Sequence, residues 1–266
     1  MRSNIYDAMR SNIYDALRHV RPAPLASALK RMLRVKRVVT NAEFGQMWVD
    51  PVSTIGAAII STRQYEPDFV ALIRANLPAG GVFLDIGANE GVFSIVAAKT
   101  ASRVIAVEPQ SRLIPVIQEN LRLNGIENVT IIRAAISDQP GTGTLHLSSD
   151  LNNGSTALSR NTRYPVMTET TPLMPLTELF DQLSLETVDF MKMDIEGYEY
   201  EAILGSPEIF QKQRIRAFCV EFHLDHLEAR GKSGQIILDF LGRCGYSHSR
   251  RRWWPGFETY IMTIRN

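Results

Sequence analysis

The sequence predicts a doubly wound α/β fold, a mostly parallel sheet that ends in an antiparallel β-hairpin. Three observations lead there. Short apolar runs alternate with helix-period segments from Val82 to Arg243. Two of those runs end in acid-bearing glycine turns that feed a helix, Asp85-Ile86-Gly87-Ala88-Asn89-Glu90-Gly91 and Asp194-Ile195-Glu196-Gly197. The last two runs, Tyr246 to Arg252 and Glu258 to Ile264, flank Trp253-Trp254-Pro255-Gly256, which reads as a Pro-Gly turn between antiparallel strands.

Taken in order, the chain opens on a tandem octad, Met1 to Ala8 recurring as Met9 to Ala16. Two copies are too few for a repeat architecture, so a local duplication is expected, with either Met1 or Met9 as the working start. Residues 1–40 carry nine Arg or Lys against Asp7 and Asp15, a net of +7, which leaves −6 for the rest of a chain whose total is +1. Such an arm suits phosphates, anionic lipid or a lipid-linked substrate, though plain solvation is the commoner explanation of such a charge run. Leu25 to Val39 reads as a basic amphipathic helix, with Leu25, Leu29, Met32 and Leu33 on one face. Phe44 to Ala58 reads as short strands or loop, and Asp68 to Asn76 as a helix stopped by Pro78-Ala79-Gly80-Gly81.

The expected core runs strand 82–86, helix 91–101, strand 103–108, helix 111–123 and strand 128–134. A short extra strand at 142–148, a polar loop at 150–164 and a helix at 176–183 follow. Strand 188–193, helix 199–205, strand 216–222 and helix 233–243 complete the winding before the hairpin. With 266 residues, 45% of them hydrophobic, one sizeable core is affordable and two full domains are not. The expected division is a basic arm over 1–40 and a single domain over 41–266.

Composition narrows the function. Two cysteines, Cys219 and Cys244, make neither a disulfide framework nor a zinc pattern. No apolar stretch approaches the roughly 18 residues a membrane span needs, and no signal-peptide pattern is visible. A cytoplasmic protein is expected, with peripheral contact at the inner face of a membrane through the basic arm as one option. Oligomeric state is not legible.

The first turn carries the chemistry. Its spacing is Asp85-x-Gly87-x-x-x-Gly91, neither the dinucleotide GxGxxG nor a P-loop, and no lysine follows to hold a phosphate. An acid there disfavours a pyrophosphate. It favours a nucleoside with a cationic or zwitterionic arm, and S-adenosylmethionine fits. The next strand ends at Glu108, 23 positions after Asp85, where an acid accepts from ribose hydroxyls. An ordinary tight turn and a solvated strand end would each explain one feature alone.

The second turn sends Asp194 and Glu196 to the same rim, and strand 216–222 delivers Glu221 and His223 there. An alcohol attacking a sulfonium methyl needs a base within hydrogen-bond reach. Asp194 and His223 are the candidates, with Glu196 beside them; helix capping is the plainer reading of the two acids. Asp194 and Glu196 could also bind Mg²⁺ or another divalent ion, on weak spacing evidence. His19, His146, His226 and His248 read as structural or solvated, and the Arg250-Arg251-Arg252-Trp253-Trp254 run as a blunted hairpin edge.

These residues resemble the FkbM family of S-adenosylmethionine-dependent methyltransferases over about 83–223, a little over half the chain. The resemblance rests on Leu84 to Gly91, Val107-Glu108-Pro109, Ala134-Ala135-Ile136-Ser137, Met191-Lys192-Met193-Asp194-Ile195-Glu196-Gly197-Tyr198-Glu199 and Val220-Glu221-Phe222-His223. It implies a class I (Rossmann-like) methyltransferase sheet and O-methylation of sugars, lipid-linked or secreted oligosaccharides, or macrolide-type natural products. It implies that Asp85, Gly87, Asn89 and Gly91 hold the cofactor, with Glu108 on the ribose and Ala135 on the adenine side; Ala88 and Asp194 are expected to join them. The loop Leu151 to Thr156 resembles the family's Asn/Gly/Ser-rich segment, which would put Asn153 and Ser155 at the acceptor; Glu221, at its strand end, is expected there too. The basic arm and the octad lie outside the resemblance.

Two other readings remain. N-methylation of protein or nucleic acid lacks its Asn-Pro-Pro-Tyr type segment, and the acidic body suits no polyanion. A non-catalytic cofactor-binding module working through the basic arm is the other. A small-molecule or carbohydrate acceptor is therefore expected, and no nucleic acid.

Overall fold

The computed structural model describes residues 14, 16–20, 23–148, 156, 158, 167–251 and 258–265. The duplicated octad for the most part, Asn153, Ser155 and the Trp253-Trp254-Pro255-Gly256 turn lie outside these.

Seven strands make the central sheet: β3 (Val82–Ile86), β4 (Arg103–Val107), β5 (Val129–Ile132), β9 (Val188–Met193), β10 (Ile215–Phe222), β11 (Tyr246–Arg251) and β12 (Glu258–Ile264). Their order across the sheet is β11-β12-β10-β9-β3-β4-β5. The neighbours from β5 through β10 pair in parallel, while β12 runs antiparallel to both β10 and β11. The closing hairpin therefore folds back, its second strand lying against the core and its first strand at the edge. This is the doubly wound, mostly parallel sheet closed by an antiparallel hairpin that the sequence predicts.

Alternation within each strand divides the core. Phe83, Val104, Ala106 and Phe190 face one side, and Leu84, Ile86, Ile105 and Met191 face the other. The first side is covered by α2 (Thr54–Thr62), α3 (Pro67–Asn76), α4 (Val92–Ala98) and α5 (Ile114–Leu123). The second is covered by α6 (Leu176–Gln182), α7 (Glu199–Leu204), α8 (Pro207–Gln211), α9 (Leu224–Glu228) and α10 (Gly234–Arg243). Burial on both faces is why these strands read as continuous apolar runs.

From β3 the chain winds outward to β4 and β5, then returns across the sheet to β9. The crevice at the carboxyl ends of β3 and β9 is thus the topological switch point, where open α/β sheets bind ligands. A three-stranded sheet stands beside it, β6 (Ala135–Ile136), β8 (Thr168–Met174) and β7 (Gly141–His146) in the order β6-β8-β7.

The N-terminal region departs from expectation. The helix begun at α1 (Ala23–Met32) stops seven residues before the expected Val39, and β1 (Val38–Ala42) pairs antiparallel with β2 (Gly45–Val49). The expected boundary at residue 40 falls inside β1. Arg37 Nη2 reaches a fully buried Glu90 at 2.8 Å, and Lys30 pairs with Asp50. Helix α2 stands where loop or strand was expected. Its isoleucines and threonines are weak helix formers, but the Ser53 side chain caps it by accepting from Gly56 N, and Ile55 and Ile59 are buried.

Candidate active site

Strand β3 ends at Ile86, and Gly87 turns the chain at φ +79°. A Cβ there would fall 1.9 Å from the Asp194 carbonyl oxygen, so only glycine lets the two turns meet. Gly87 N and Ala88 N both donate to Val107 O, at 2.9 and 3.0 Å, which fastens the turn to β4. Asn89 also takes a left-handed conformation, φ +52°.

Glu108 answers this turn from β4. Its Oε2 accepts from Asn89 N at 2.8 Å and its Oε1 from Gln110 N at 2.9 Å. Burial pushes the carboxyl up to about 7, in spite of those two donors. Each oxygen keeps acceptor capacity, and the group lines a cavity together with Ile86, Gly87, Asn89, Ala135 and Asp194.

Asp85, Ala88 and Gly91 are not among the residues lining that cavity. Asp85 is fully buried, accepting from Ser94 Oγ at 2.6 Å and lying 3.9 Å from Lys192 Nζ. It works beneath the turn. Gly91 starts α4 at φ +83°, where a Cβ would press on Ile117 at 3.2 Å.

Lys192 joins the two turns. Its Nζ donates to Gly87 O at 2.6 Å and Ile86 O at 3.3 Å, sits 3.8 Å from Asp194 Oδ2, and lies over the Phe93 ring. Burial pulls its pKa down, but Asp194 and Asp85 outweigh that and raise it. The signal for it was legible, an ionisable residue inside the apolar run Phe190-Met191-Lys192-Met193.

The second turn builds the acidic rim. Asp194 N donates to Ile86 O at 3.1 Å, and Glu196 and Gly197 follow at φ +55° and +99°. Glu199, fully buried in the first turn of α7, accepts from Gly197 N at 3.1 Å and stands 3.2 Å from His223 Nδ1. That contact aims His223 Nε2 at three carboxylates: Glu196 at 3.5 Å, Asp194 at 3.7 Å and Glu221 at 3.9 Å.

Electrostatics follow from this crowding. Burial disfavours the charged form of His223, but Glu199, Asp194 and Glu196 prevail and push it up to about 10. Glu196 and Glu221 are each pushed up to about 8, first by burial and then by neighbouring carboxylates such as Asp194. The rim therefore holds His223 as an imidazolium at neutral pH. Oxygens of Asp194 and Glu196 and a nitrogen of His223 lie within 4.8 Å of one another, a donor set able to hold a divalent cation.

Sequence reasoning missed Lys192, Glu199 and a third contributor, Glu66. That residue begins α3 at φ +42°, and its carboxyl is raised by burial and by Asp194. Its neighbour Tyr65 packs on Phe93, the ring under Lys192, with centroids 6.1 Å apart. Nothing in the local sequence pointed there.

The family described as methyltransferase FkbM domain matches residues 85–247, well over half the chain. Among curated relatives, methyltransferase sdnD of Sordaria araneosa is 28% identical over 164 residues, covering 50% of this chain and 63% of that protein. The AMB antimetabolite synthetase AmbE of Pseudomonas aeruginosa is 24% identical over 212 residues, covering 66% of this chain and 10% of that protein. The chain thus spans less than two thirds of either relative. Solved structures similar to it include Aeropyrum pernix fibrillarin with bound S-adenosyl-L-methionine, at TM-score 0.44 and 12% identity over 74% of each chain. Another is a TehB-like SAM-dependent methyltransferase from Corynebacterium glutamicum, at TM-score 0.46 and 12% identity, covering 79% of this chain and 93% of that one.

Proposed function

The chain belongs to the FkbM family of S-adenosylmethionine-dependent methyltransferases, and we propose that it methylates a hydroxyl oxygen of a sugar, a glycolipid or oligosaccharide, or a polyketide-type natural product. The observation that carries this reading is that Asp194 and Glu196, which both line the cavity, gather with Glu221 around the buried His223. Carboxylates in that position suit an acceptor that offers O–H donors.

The residues fit the cofactor. Buried Asn89 Oδ1 and Asp194 Oδ1 have no hydrogen-bond partner among the described residues, and Glu108 keeps acceptor capacity. These are acceptors awaiting donors, which ribose hydroxyls and an ammonium group supply. Glu108 would hold the ribose, Asn89 and Asp194 the amino-acid arm, and Ala135 would flank the adenine. When bound, S-adenosylmethionine supplies an electrophilic methyl group on a sulfonium.

The chain's own residues do the rest. Asp194, its side chain 38% exposed at the rim, is placed to accept the acceptor's proton. His223, held cationic by its neighbours, steadies the carboxylates as that proton arrives. Glu199 fixes the imidazole by its contact with Nδ1. Lys192 holds the two turns in register, so that positioning accounts for much of the rate. That one relative is by name an antimetabolite synthetase is in keeping with a natural-product acceptor.

The test is incubation of the purified protein with S-adenosylmethionine and a panel of glycans, glycolipids and polyketides, with and without Mg²⁺. Gain of one methyl on a hydroxyl, lost in Asp194→Asn, is expected. Methylation confined to protein or nucleic-acid nitrogen would overturn the reading.

A further inference from the structure

Helix α1 presents a second apolar stripe to solvent. Its inward side carries Ala26, Ser27, the partly buried Leu29 and Lys30, the lysine pairing with Asp50. Its outward face carries Leu25, Ala28 and Met32, at the spacing that shares one side of a helix. Leu25 is 48% exposed and Met32 71%, and Leu33 in the turn that follows is 50% exposed. Burying Lys30 while exposing two leucines and a methionine is unfavourable unless something apolar covers them.

The basic residues around that stripe indicate what does. Lys30 and Arg37 are used inside the protein, on Asp50 and Glu90. Arg31, Arg34 and Lys36 are exposed, and their side chains make no hydrogen bond or ion pair among the described residues. Apolar side chains that project outward between unneutralised cations complement an anionic headgroup layer over acyl chains.

We infer that the outward face of α1 and the turn after it dock on an anionic lipid bilayer. Leu25, Met32 and Leu33 insert at the acyl boundary, and Arg31, Arg34 and Lys36 meet the headgroups. The face lies close to the site. Arg34 precedes Arg37 by three residues, at most about 11 Å of backbone, and Arg37 grips Glu90 in the turn between β3 and α4. Docking there would hold the cavity near the bilayer surface, whatever the acceptor is.

The test is sedimentation of the full chain with phosphatidylcholine vesicles, with and without phosphatidylglycerol. Expected is binding only to the phosphatidylglycerol vesicles, weakened by salt. Three charges removed in Arg31→Gln/Arg34→Gln/Lys36→Gln should lower the vesicle affinity about a hundredfold. Met32→Ser/Leu33→Ser should lose it with the charges intact. Unchanged S-adenosylmethionine affinity in both variants would confirm that they fold. Absence of wild-type binding, equal binding by the variants, or self-association abolished by Met32→Ser/Leu33→Ser in its place would each overturn the proposal.

Discussion

Asp194 is asked to face the cavity, the acceptor and Lys192 at once, and its neighbours are arranged for that. Asp194→Asn keeps the shape and removes the proton acceptor, so kcat should fall by about 10² to 10⁴, with a smaller loss of cofactor affinity from the weakened hold on the amino-acid arm. Steady-state kinetics on the acceptor identified by mass gain checks this. Lys192→Met leaves Asp85 buried beside no cation, which should cost about 3–5 kcal/mol of stability, measured by urea unfolding. Burying an unpaired charge is worse than losing the pair itself. The sequence made the acids at the strand ends legible because a parallel sheet sends those positions to one rim. It did not disclose their division of labour. Asp85, expected at the cofactor, is buried beneath the turn 3.9 Å from Lys192 and does not line the cavity, since the direction a side chain takes depends on what packs beneath it. Glu199 looked like one more acid in a helix's first turn, and only the fold brings His223 across to it.

At the scale of elements, the two glycine turns operate as one part. Gly87 carries the close approach of β3 and β9, and Gly87→Ala must both enter a left-handed conformation and displace the Asp194 carbonyl. A loss of about 3 kcal/mol is expected, read as a lower thermal midpoint, together with loss of cofactor binding. The central strands were legible to within a residue or two because burial on both faces leaves an unmistakable apolar run. Helix α2 was not, because β-branched residues hide a helix whose stability comes from the Ser53 cap and its buried isoleucines. Strand β8, Thr168-Glu169-Thr170-Thr171-Pro172-Leu173-Met174, was hidden too. It is largely polar, and its pairing with β7 depends on partners distant in sequence.

For the whole molecule, the site's titrating groups all act on stability in one direction. Glu108, Glu196 and Glu221 are raised from 4.5 to about 7, 8 and 8, and His223 from 6.5 to about 10. The folded state therefore binds more protons than the unfolded state across that range. Stability is fully present below the unfolded values and is lost as pH rises through the folded ones. The thermal midpoint of the cofactor-free protein should fall between about pH 5 and pH 10. Rising stability over that interval would contradict the crowding of charge described here. Activity should run the other way and increase through about pH 8, as the rim releases the proton it holds against neighbouring carboxylates.

The most direct measurement is calorimetric titration of S-adenosylmethionine into the wild-type protein and Glu108→Gln. One site per chain is expected in the wild type. In the variant the affinity should weaken about ten- to a hundredfold, the range for losing hydrogen bonds to a charged acceptor. No binding to the wild type, or equal affinity in the two proteins, would mean that the crevice at the carboxyl ends of β3 and β9, with Glu108 on its wall, is not where the cofactor sits.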